Sequence, residues 1–318
     1  MSTNPEITRY FSETVIPTLE KRHPEVARHM AIQVRGSYGL GLADEHSDLD
    51  AIVWLDDPLW KREGGQVQLT LLHDIPRLTP RELAAEHGHA EVNVWPLSWL
   101  GARRKFLEST SEAPWEEVSF EELFELQHNL VVRDPERLFD RLRKATRPEN
   151  YPAALWRKRL IVQAKQLDDD LIEYRQVVRR DRRIEEPLMA GRVLEGLLRL
   201  GFYISKQYFP WRTHLNWAFR QLPPPACEVA SYLDAMVVGD SPAERFKAAQ
   251  GARDIYHDAI LKQGLLSREV LDALNWAERL EAWSNKDWHD WITRCQASAQ
   301  AAGDDPEDFW IWSLWGWK

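Results

Sequence analysis

The chain has 318 residues, with 41 lysines and arginines against 50 aspartates and glutamates, so its formal net charge is −9. A chain of this length holds one large or two ordinary domains. Its acidity as a whole does not suit nucleic acid, which binds an excess of basic side chains. Two cysteines are too few for a disulfide framework, and they do not have the spacing of a zinc site. The apolar runs are far shorter than a membrane span, and the first residues lack the apolar block of a secretory signal. We therefore expect a cytoplasmic protein that makes no contact with a membrane.

The first part of the chain alternates short apolar runs with amphipathic stretches, a pattern typical of a mixed α/β or α+β domain. Four segments are predicted as strands of one small sheet: 31–35, 48–55, 66–73 and 90–95. A proline and a capping-box glutamate follow Thr79, so a short helix is predicted to begin in 79–82. Residues 116–126 are predicted as a helix, and 129–133 as an extended run.

The composition and the apolar spacing of the sequence change beyond Tyr151-Pro152. Glycines become rare, and apolar residues recur at helical spacing, for example in 154–179 and 268–283. The three consecutive prolines at 223–225 predict a rigid turn between helices. We therefore predict an α+β protein, in which a small mixed-sheet domain (1–150) is followed by an all-helical C-terminal domain (151–318).

One segment, Arg35 to Asp50, carries most of the chemical information: RGSYGLGLADEHSDLD. Asp48 and Asp50 stand two residues apart at the start of a predicted strand, so their carboxylates are expected on the same face. Two adjacent carboxylates repel each other unless a cation lies between them, and such oxygen ligands suit Mg²⁺ or Mn²⁺. Gly36 and Ser37 would let backbone N–H groups and a hydroxyl approach phosphate oxygens.

The combination of Gly36-Ser37 with Ser47-Asp48-Leu49-Asp50 at the head of the next strand resembles the signature of the DNA polymerase beta-like nucleotidyltransferase superfamily. The resemblance implies an adenylyltransferase-type enzyme that moves a nucleoside monophosphate from a nucleoside triphosphate, ATP above all, to an acceptor hydroxyl. It also implies that Asp48 and Asp50 are catalytic metal ligands for Mg²⁺ or Mn²⁺. Gly36, Ser37 and Ser47 would then contact the nucleotide.

The same resemblance implies a third carboxylate from a neighbouring strand, and two alignments compete for it. Residues 90–94 resemble the glutamate-containing strand of bacterial aminoglycoside adenylyltransferases, which makes Glu91 the general base or third metal ligand. Residues 93–96 instead resemble the strand of cyclic-oligonucleotide synthases, where an aspartate should stand in place of Asn93. Because asparagine cannot act as a base, we expect Glu91, on the same strand face, to supply the catalytic carboxylate.

The helical half contains two aromatic-rich runs, 202–212 and 215–223, that resemble the C-terminal region of an uncharacterised bacterial family of nucleotidyltransferase-like proteins. The resemblance implies that Lys206 and Tyr208 contact the triphosphate or stack on the base, with Arg212 behind them. Aromatic side chains in helical domains more often belong to the core, so packing is the alternative for Tyr208.

The acceptor is open at this point. A small molecule such as an aminoglycoside-like compound fits the acidic first domain and Glu91. RNA or protein is the alternative acceptor, suggested by the basic clusters 157–159 and 179–183. A non-catalytic, antitoxin-like nucleotide-binding module is a further alternative, which the retained carboxylates disfavour. The tryptophan-rich end of the chain, 310–317, would pack on the helical domain or on a partner in an oligomer.

Overall fold

A computed structural model describes residues 5–44, 46–75, 90–108 and 114–274, together with the single positions 293, 297 and 300. The chain divides into two compact units, residues 1–150 and residues 151–318. The first unit contains a four-stranded mixed sheet, and the described part of the second unit is helical. The predicted α+β class is confirmed. Among the described residues, no helix is both long enough and apolar enough to cross a membrane.

The first unit builds its sheet between short helices. Its elements are α1 (Pro5–Tyr10), a π-helical segment (Phe11–Val15), α2 (Ile16–Arg22), α3 (Pro24–His29), β1 (Ala31–Val34), α4 (Gly36–Leu40), β2 (Leu49–Leu55), α5 (Asp57–His73), β3 (Ala90–Pro96), a 3₁₀ segment (Leu97–Arg104), α6 (Lys105–Glu108), α7 (Phe120–His128), β4 (Leu130–Arg133), α8 (Leu138–Ala145) and a 3₁₀ turn (Pro148–Asn150). The strand order is β3-β2-β1-β4. β2 and β3 run parallel, whereas β1 is antiparallel to both of its neighbours.

Alternation along β2 separates the two faces of the sheet. One face packs on the N-terminal helices and α5 in a buried core that includes Ile7, Phe11, Val15, Leu19, Val26, Ile32, Val34, Leu49, Ala51, Val53, Leu55, Leu59, Val67 and Leu71. The opposite face carries Asp50, Ile52 and Trp54, because successive side chains point to opposite sides of a strand. Phe139 of α8 covers the Trp54 end, with 6.2 Å between the ring centroids. Asp50, at the other end of β2, is exposed.

Side chains of α5 form hydrogen bonds with backbone groups on the outer edge of β3. The Gln68 amide donates to the carbonyl oxygen of Val92 at 3.0 Å and accepts from the N–H of Val94 at 2.9 Å. The Trp60 indole donates to the carbonyl oxygen of Val94 at 3.1 Å. Unpaired backbone groups on an edge strand need such partners. The helix therefore fixes β3 on the side away from β2, where none of the described strands pairs with it.

The prediction of a strand at 66–73 is wrong, because this segment is the second half of α5. The helix begins with Asp56 as N-cap, whose carboxylate accepts from the N–H of Leu59 at 2.7 Å, and with a proline in the first turn. It continues through Gly64, where a side chain would clash with the Trp60 indole: a Cβ would lie 2.7 Å from Trp60 Cδ1. Gly64 thus makes room for the aromatic ring of Trp60.

The fourth strand is β4, which the sequence had indicated only as an extended run at 129–133. The helix predicted at 116–126 begins later, at Phe120, after a capping box formed by Ser119 and Glu122. The helix predicted to begin in 79–82 lies outside the described residues.

The second unit consists, over its described part, of helices that pack around aromatic side chains. They are α9 (Ala153–Arg179), α10 (Glu185–Ile204), α11 (Arg212–Phe219), α12 (Ala226–Val238), α13 (Pro242–Lys262) and α14 (Arg268–Leu274). Prolines 223–225 separate α11 from α12, which confirms the predicted turn. The latter part of the predicted helix 268–283 and the tryptophan-rich segment 310–317 lie outside the described residues.

We expect that substituting Gly39 with alanine destabilises the first unit by about 1–3 kcal/mol, the usual cost of overpacking. A Cβ at Gly39 would lie 2.3 Å from the carbonyl oxygen of Val34, so α4 and β1 would have to separate. The measurement is the free energy of unfolding in urea.

Gly65→Ala in α5 is the matched control, because a Cβ there meets nothing within 4 Å. This substitution should leave stability unchanged or raise it by roughly 0.5–1 kcal/mol. Equal effects of the two substitutions would contradict the close approach of α4 to β1.

Candidate functional site

The site is defined by carboxylates on neighbouring strands. Asp50 of β2 is the register partner of Glu91 in the parallel strand β3. Residues paired in this way lie side by side and point to the same face of the sheet. Asp48 directly precedes β2, two residues before Asp50, and all three carboxylates are exposed. The structure thus brings Asp50 and the predicted third carboxylate to one end of one sheet face, and Asp48 precedes the strand at that end.

The turn between β1 and α4 lies against Asp50. Gly36 has a φ of +58°, which favours glycine. A Cβ at Gly36 would lie 3.7 Å from Asp50 Oδ2, an ordinary contact, so the backbone conformation and not the space selects glycine here. The N–H of Arg35 donates to the carbonyl oxygen of Asp50 at 2.8 Å. Ser37, in the first turn of α4, is half-buried.

Ser47 contributes to the shape of the loop that precedes Asp48. Its hydroxyl donates to Asp44 Oδ1 at 2.8 Å and accepts from the backbone N–H of Asp44 at 2.9 Å. The backbone N–H of His46 donates to the same carboxylate at 3.0 Å. These hydrogen bonds, that of Ser47 first, hold the pKa of the Asp44 carboxyl below its usual value. The contact of Ser47 with a nucleotide stays a prediction.

The carboxylates influence a buried phenol beneath the turn. Burial raises the pKa of Tyr38, and the carboxylates of Asp44, Glu6 and Asp48 raise it further. Tyr38 belongs to the core under the sheet. Its hydroxyl therefore stays protonated at neutral pH and does not supply a base to the site.

Asn93 lies two residues beyond Glu91 on the same face of β3. Its side-chain amide donates to Glu91 Oε1 at 2.9 Å. One of the two alignments expects an aspartate at position 93. The asparagine found there donates a hydrogen bond to Glu91, the carboxylate that the other alignment predicts. This hydrogen bond orients Oε1 of Glu91. The Glu91 side chain is exposed, so a ligand can approach its carboxylate from solvent.

The donor set suits a divalent cation that a substrate helps to bind. Within the described ranges, no three His, Cys, Asp or Glu side chains are gathered closely enough to hold a metal ion by themselves. Mg²⁺ is ordinarily held by one or two carboxylates together with substrate phosphates and water, so a complete protein cage is not required. Asp48 and Asp50 fit that arrangement, and metal binding by them and Glu91 stays a prediction.

Arg35 begins the segment that carries the nucleotidyltransferase-like pattern, but no role was predicted for it from sequence. Its guanidinium Nη2 lies 2.8 Å from Glu125 Oε2 on α7, and its Cζ lies 6.0 Å from the ring centroid of Trp95. Trp95 continues the face of Glu91 and Asn93, and Trp99, 58% exposed, lies 5.3 Å from it between ring centroids. A cation and two indoles are thus grouped on the sheet face that carries Asp50 and Glu91. The contact with Glu125, 90 residues away in the chain, could not be predicted from any local pattern.

Lys206 and Tyr208 belong to the other unit, where each has a structural role. Lys206 is exposed and takes the left-handed conformation that follows α10, with a φ of +50°. Tyr208 is 2% exposed and packs in an aromatic cluster with Tyr151 and Trp156. Arg212 pairs with Glu195 at 3.0 Å. Packing accounts for Tyr208, and the nucleotide contacts of Lys206 and Tyr208 stay predictions.

A cavity of about 280 Å³ lies at the other end of the sheet from the carboxylates. Ala31, which begins β1, and Trp54, near the end of β2, both line it. Its His29 is paired with Glu136 at 2.8 Å. The cavity is therefore separate from Asp50 and Glu91.

Comparisons with known proteins add little to this geometry. Residues 115–218 match a family model described as a domain of unknown function (DUF4037), a segment that contains neither Arg35 to Asp50 nor Glu91. No curated protein matches the chain. A nucleotidyltransferase-like protein from Exiguobacterium sibiricum has a similar structure, with a TM-score of 0.40 and 11% identity over 93% of this chain and 91% of that chain. This likeness is too distant to assign a function.

The geometry of the loop before Asp48 predicts the effect of Ser47→Ala. Without the hydroxyl, the pKa of the Asp44 carboxyl should rise towards its ordinary value, because the largest cause of its lowering is removed. Titration of the Asp44 carboxyl carbon by NMR measures this change. Ser12→Ala, which removes a hydroxyl bonded only within the first helical segment, is the control. An Asp44 pKa that is equal in Ser47→Ala and wild type would contradict the loop structure.

Proposed function

We propose that this protein is a metal-dependent nucleotidyltransferase. The observation that carries the proposal is the register of β2 and β3, which sets Asp50 beside Glu91 at the end of the sheet where Asp48 and Gly36 also lie. The resemblance of Gly36-Ser37 and Asp48-x-Asp50 to the nucleotidyltransferase signature supports it. The exposure of all three carboxylates supports it as well, because a substrate and solvent cations can reach them.

In the proposed reaction an acceptor hydroxyl attacks the α-phosphorus of a nucleoside triphosphate. A new oxygen–phosphorus bond forms, and the bond to the bridging oxygen breaks so that pyrophosphate leaves with its electron pair. Asp48 and Asp50 would hold a divalent cation, which when bound neutralises charge on the phosphates. Glu91 would take the proton of the attacking hydroxyl, directly or through one water. Asn93 would hold the Glu91 carboxylate by the hydrogen bond described above.

Glu91 suits the role of proton acceptor in this reaction. Glu91 is exposed, so an acceptor can reach its carboxylate from solvent. Its neighbour Asp50 would be occupied with the cation, which leaves Glu91 the adjoining carboxylate that faces the same substrate. The turn at Gly36 and Ser37, against Asp50, would receive the triphosphate.

The proposal extends to ATP as the donor and to a small hydroxylated molecule, such as an aminoglycoside-like compound, as the acceptor. The likeness of the strand around Glu91 to that of aminoglycoside adenylyltransferases supports this choice. RNA or protein as acceptor is the alternative that the same assay can distinguish.

The test is transfer from each labelled nucleoside triphosphate, with Mg²⁺, to pools of aminoglycosides, tRNA and proteins. We expect Asp48→Asn and Asp50→Asn each to reduce transfer at least about 100-fold, because they remove ligands of the cation. Removal of the metal with EDTA should abolish transfer, and Mg²⁺ or Mn²⁺ should restore it. Asp74→Asn, at the end of α5 and paired with Arg22, is the control that keeps full activity.

Glu91→Gln should reduce kcat by about 10²–10⁴-fold with little change in the affinity for ATP, since it removes the proton acceptor alone. If Glu91→Gln lowered the affinity for ATP as much as it lowered kcat, Glu91 would instead be a metal ligand. Undiminished transfer in Asp50→Asn, or transfer in EDTA, would contradict the proposed function. ATP binding without a labelled product in any pool would favour a non-catalytic nucleotide-binding module.

A further inference from the structure

Arg35 is placed at the site by the sheet itself. Its backbone N–H donates to the carbonyl oxygen of Asp50, which continues the antiparallel ladder of β1 and β2 beyond Val34. Alternation along this ladder sets the Arg35 side chain on the face that carries Asp50. The next residue in the chain is Gly36. Arg35 therefore contributes a permanent positive charge to the end of the sheet where the carboxylates are gathered.

In the structure, the Arg35 guanidinium contacts a carboxylate and an aromatic ring. Nη2 of Arg35 lies 2.8 Å from Glu125 Oε2, and the side chains of the two residues are 31% and 13% exposed. The Cζ atom lies 6.0 Å from the centroid of Trp95, within range of a cation–π interaction. The arginine is thus held in place but remains accessible from solvent.

Glu125 has a second cation close by. Arg103 lies with Nε 3.8 Å from Glu122 Oε1, on the same helix as Glu125. Burial lowers the pKa of Arg103, and the charges of Glu122 and Glu125 oppose that effect, so Arg103 and Glu125 interact. A partly buried carboxylate that loses its partner is costly. Because Arg103 remains nearby, Glu125 keeps a neighbouring positive charge when Arg35 moves away.

Arginine is well suited to phosphate, because its planar fork of N–H groups can bind two oxygens of one phosphate. Gly36 is the next residue in the chain, so a change of rotamer of the long Arg35 side chain would turn the guanidinium from Glu125 towards the turn. The exchange would replace one ion pair of Arg35 with another, and Glu125 would then share the positive charge of Arg103 with Glu122. A polyanion bound at that turn would compete with Glu125 for the same donors.

We propose that Arg35 binds the triphosphate of the nucleotide and that Glu125 holds Arg35 in position and competes with the triphosphate for it. The inference rests on the proposed function, since it requires a nucleoside triphosphate at the carboxylates. It predicts opposite effects of two substitutions within one ion pair. Loss of the arginine weakens binding of the polyanion, and loss of the charge on the glutamate strengthens it.

The experiment measures dissociation constants by calorimetry for ATP, inorganic tripolyphosphate and adenosine, with Mg²⁺ and without an acceptor. Arg35→Ala should raise the Kd of ATP and of tripolyphosphate about ten-fold or more, equivalent to about 1.4 kcal/mol or more, and leave that of adenosine unchanged. Glu125→Gln should lower the Kd of ATP and tripolyphosphate about two- to ten-fold. Arg35→Lys, which keeps the charge but loses the planar fork, should fall between wild type and Arg35→Ala.

Arg62→Ala and Glu25→Gln are the matched controls, because these residues form a comparable pair at 2.7 Å on α5 and α3. They should leave all three constants unchanged. Circular dichroism and thermal unfolding of each variant verify that it folds. If Arg35→Ala destabilises the protein, Glu125→Gln still decides the question, since the proposal expects this variant to bind more tightly, whereas loss of a purely structural ion pair would make it bind less tightly.

Three outcomes separate the two proposals. Unchanged binding of ATP and tripolyphosphate by Arg35→Ala, or weaker binding by Glu125→Gln, would overturn the role of Arg35 while the wild type continues to transfer nucleotides. A wild-type protein that binds neither ATP nor tripolyphosphate would overturn the proposed function and this inference together. Opposite shifts in the two variants would support both.

Discussion

The hydrogen bonds between β2 and β3 are the constraint on which the candidate site depends. A shift of one residue in this ladder would turn Glu91 to the opposite face of the sheet, into the core. The register is held from two directions: β2 pairs with one edge of β3, and Gln68 bonds Val92 and Val94 at the other. The helix that supplies Gln68 also fills the core beneath the sheet. The position of the exposed Glu91 carboxylate is therefore determined by the hydrogen bonds along both edges of β3 and by the packing of α5 in the core.

Much of the fold could be predicted from local patterns, and the failures have a physical cause. The alternation in β2 and the helical spacing of α9 are properties of single segments, and both elements lie within a residue or two of their predicted bounds. The second half of α5 was mistaken for a strand because apolar and polar residues alternate there. Its helical state depends on an N-cap ten residues upstream of Gln66 and on the fit of Gly64 against Trp60, which alternation does not reveal.

The site was partly accessible from sequence for a similar reason. Asp48 and Asp50 are neighbours in the chain, and the strand period alone places them together. The pairing of Asp50 with Glu91 required in addition that two predicted strands be adjacent, parallel and in the register observed. The bond from Asn93 to Glu91 and the ion pair of Arg35 with Glu125 depend on side-chain directions and on the packing of α7, so the sequence offered no means to find them. Tyr208, proposed from sequence as a nucleotide contact, is buried in an aromatic cluster, and its contact with a nucleotide stays a prediction.

The close packing of α4 on β1 has a consequence for the thermodynamics of ligand binding. Gly39 allows the backbones to approach so closely that even a methyl group would not fit between them. The turn at Gly36 therefore cannot change its position without moving β1, whose other neighbours are the strands on either side of it. A ligand at this turn would meet a surface that is already ordered before binding, and little conformational entropy would be lost there. Adjustment to different ligands would then fall to side chains such as Arg35 and Trp99, and not to the backbone.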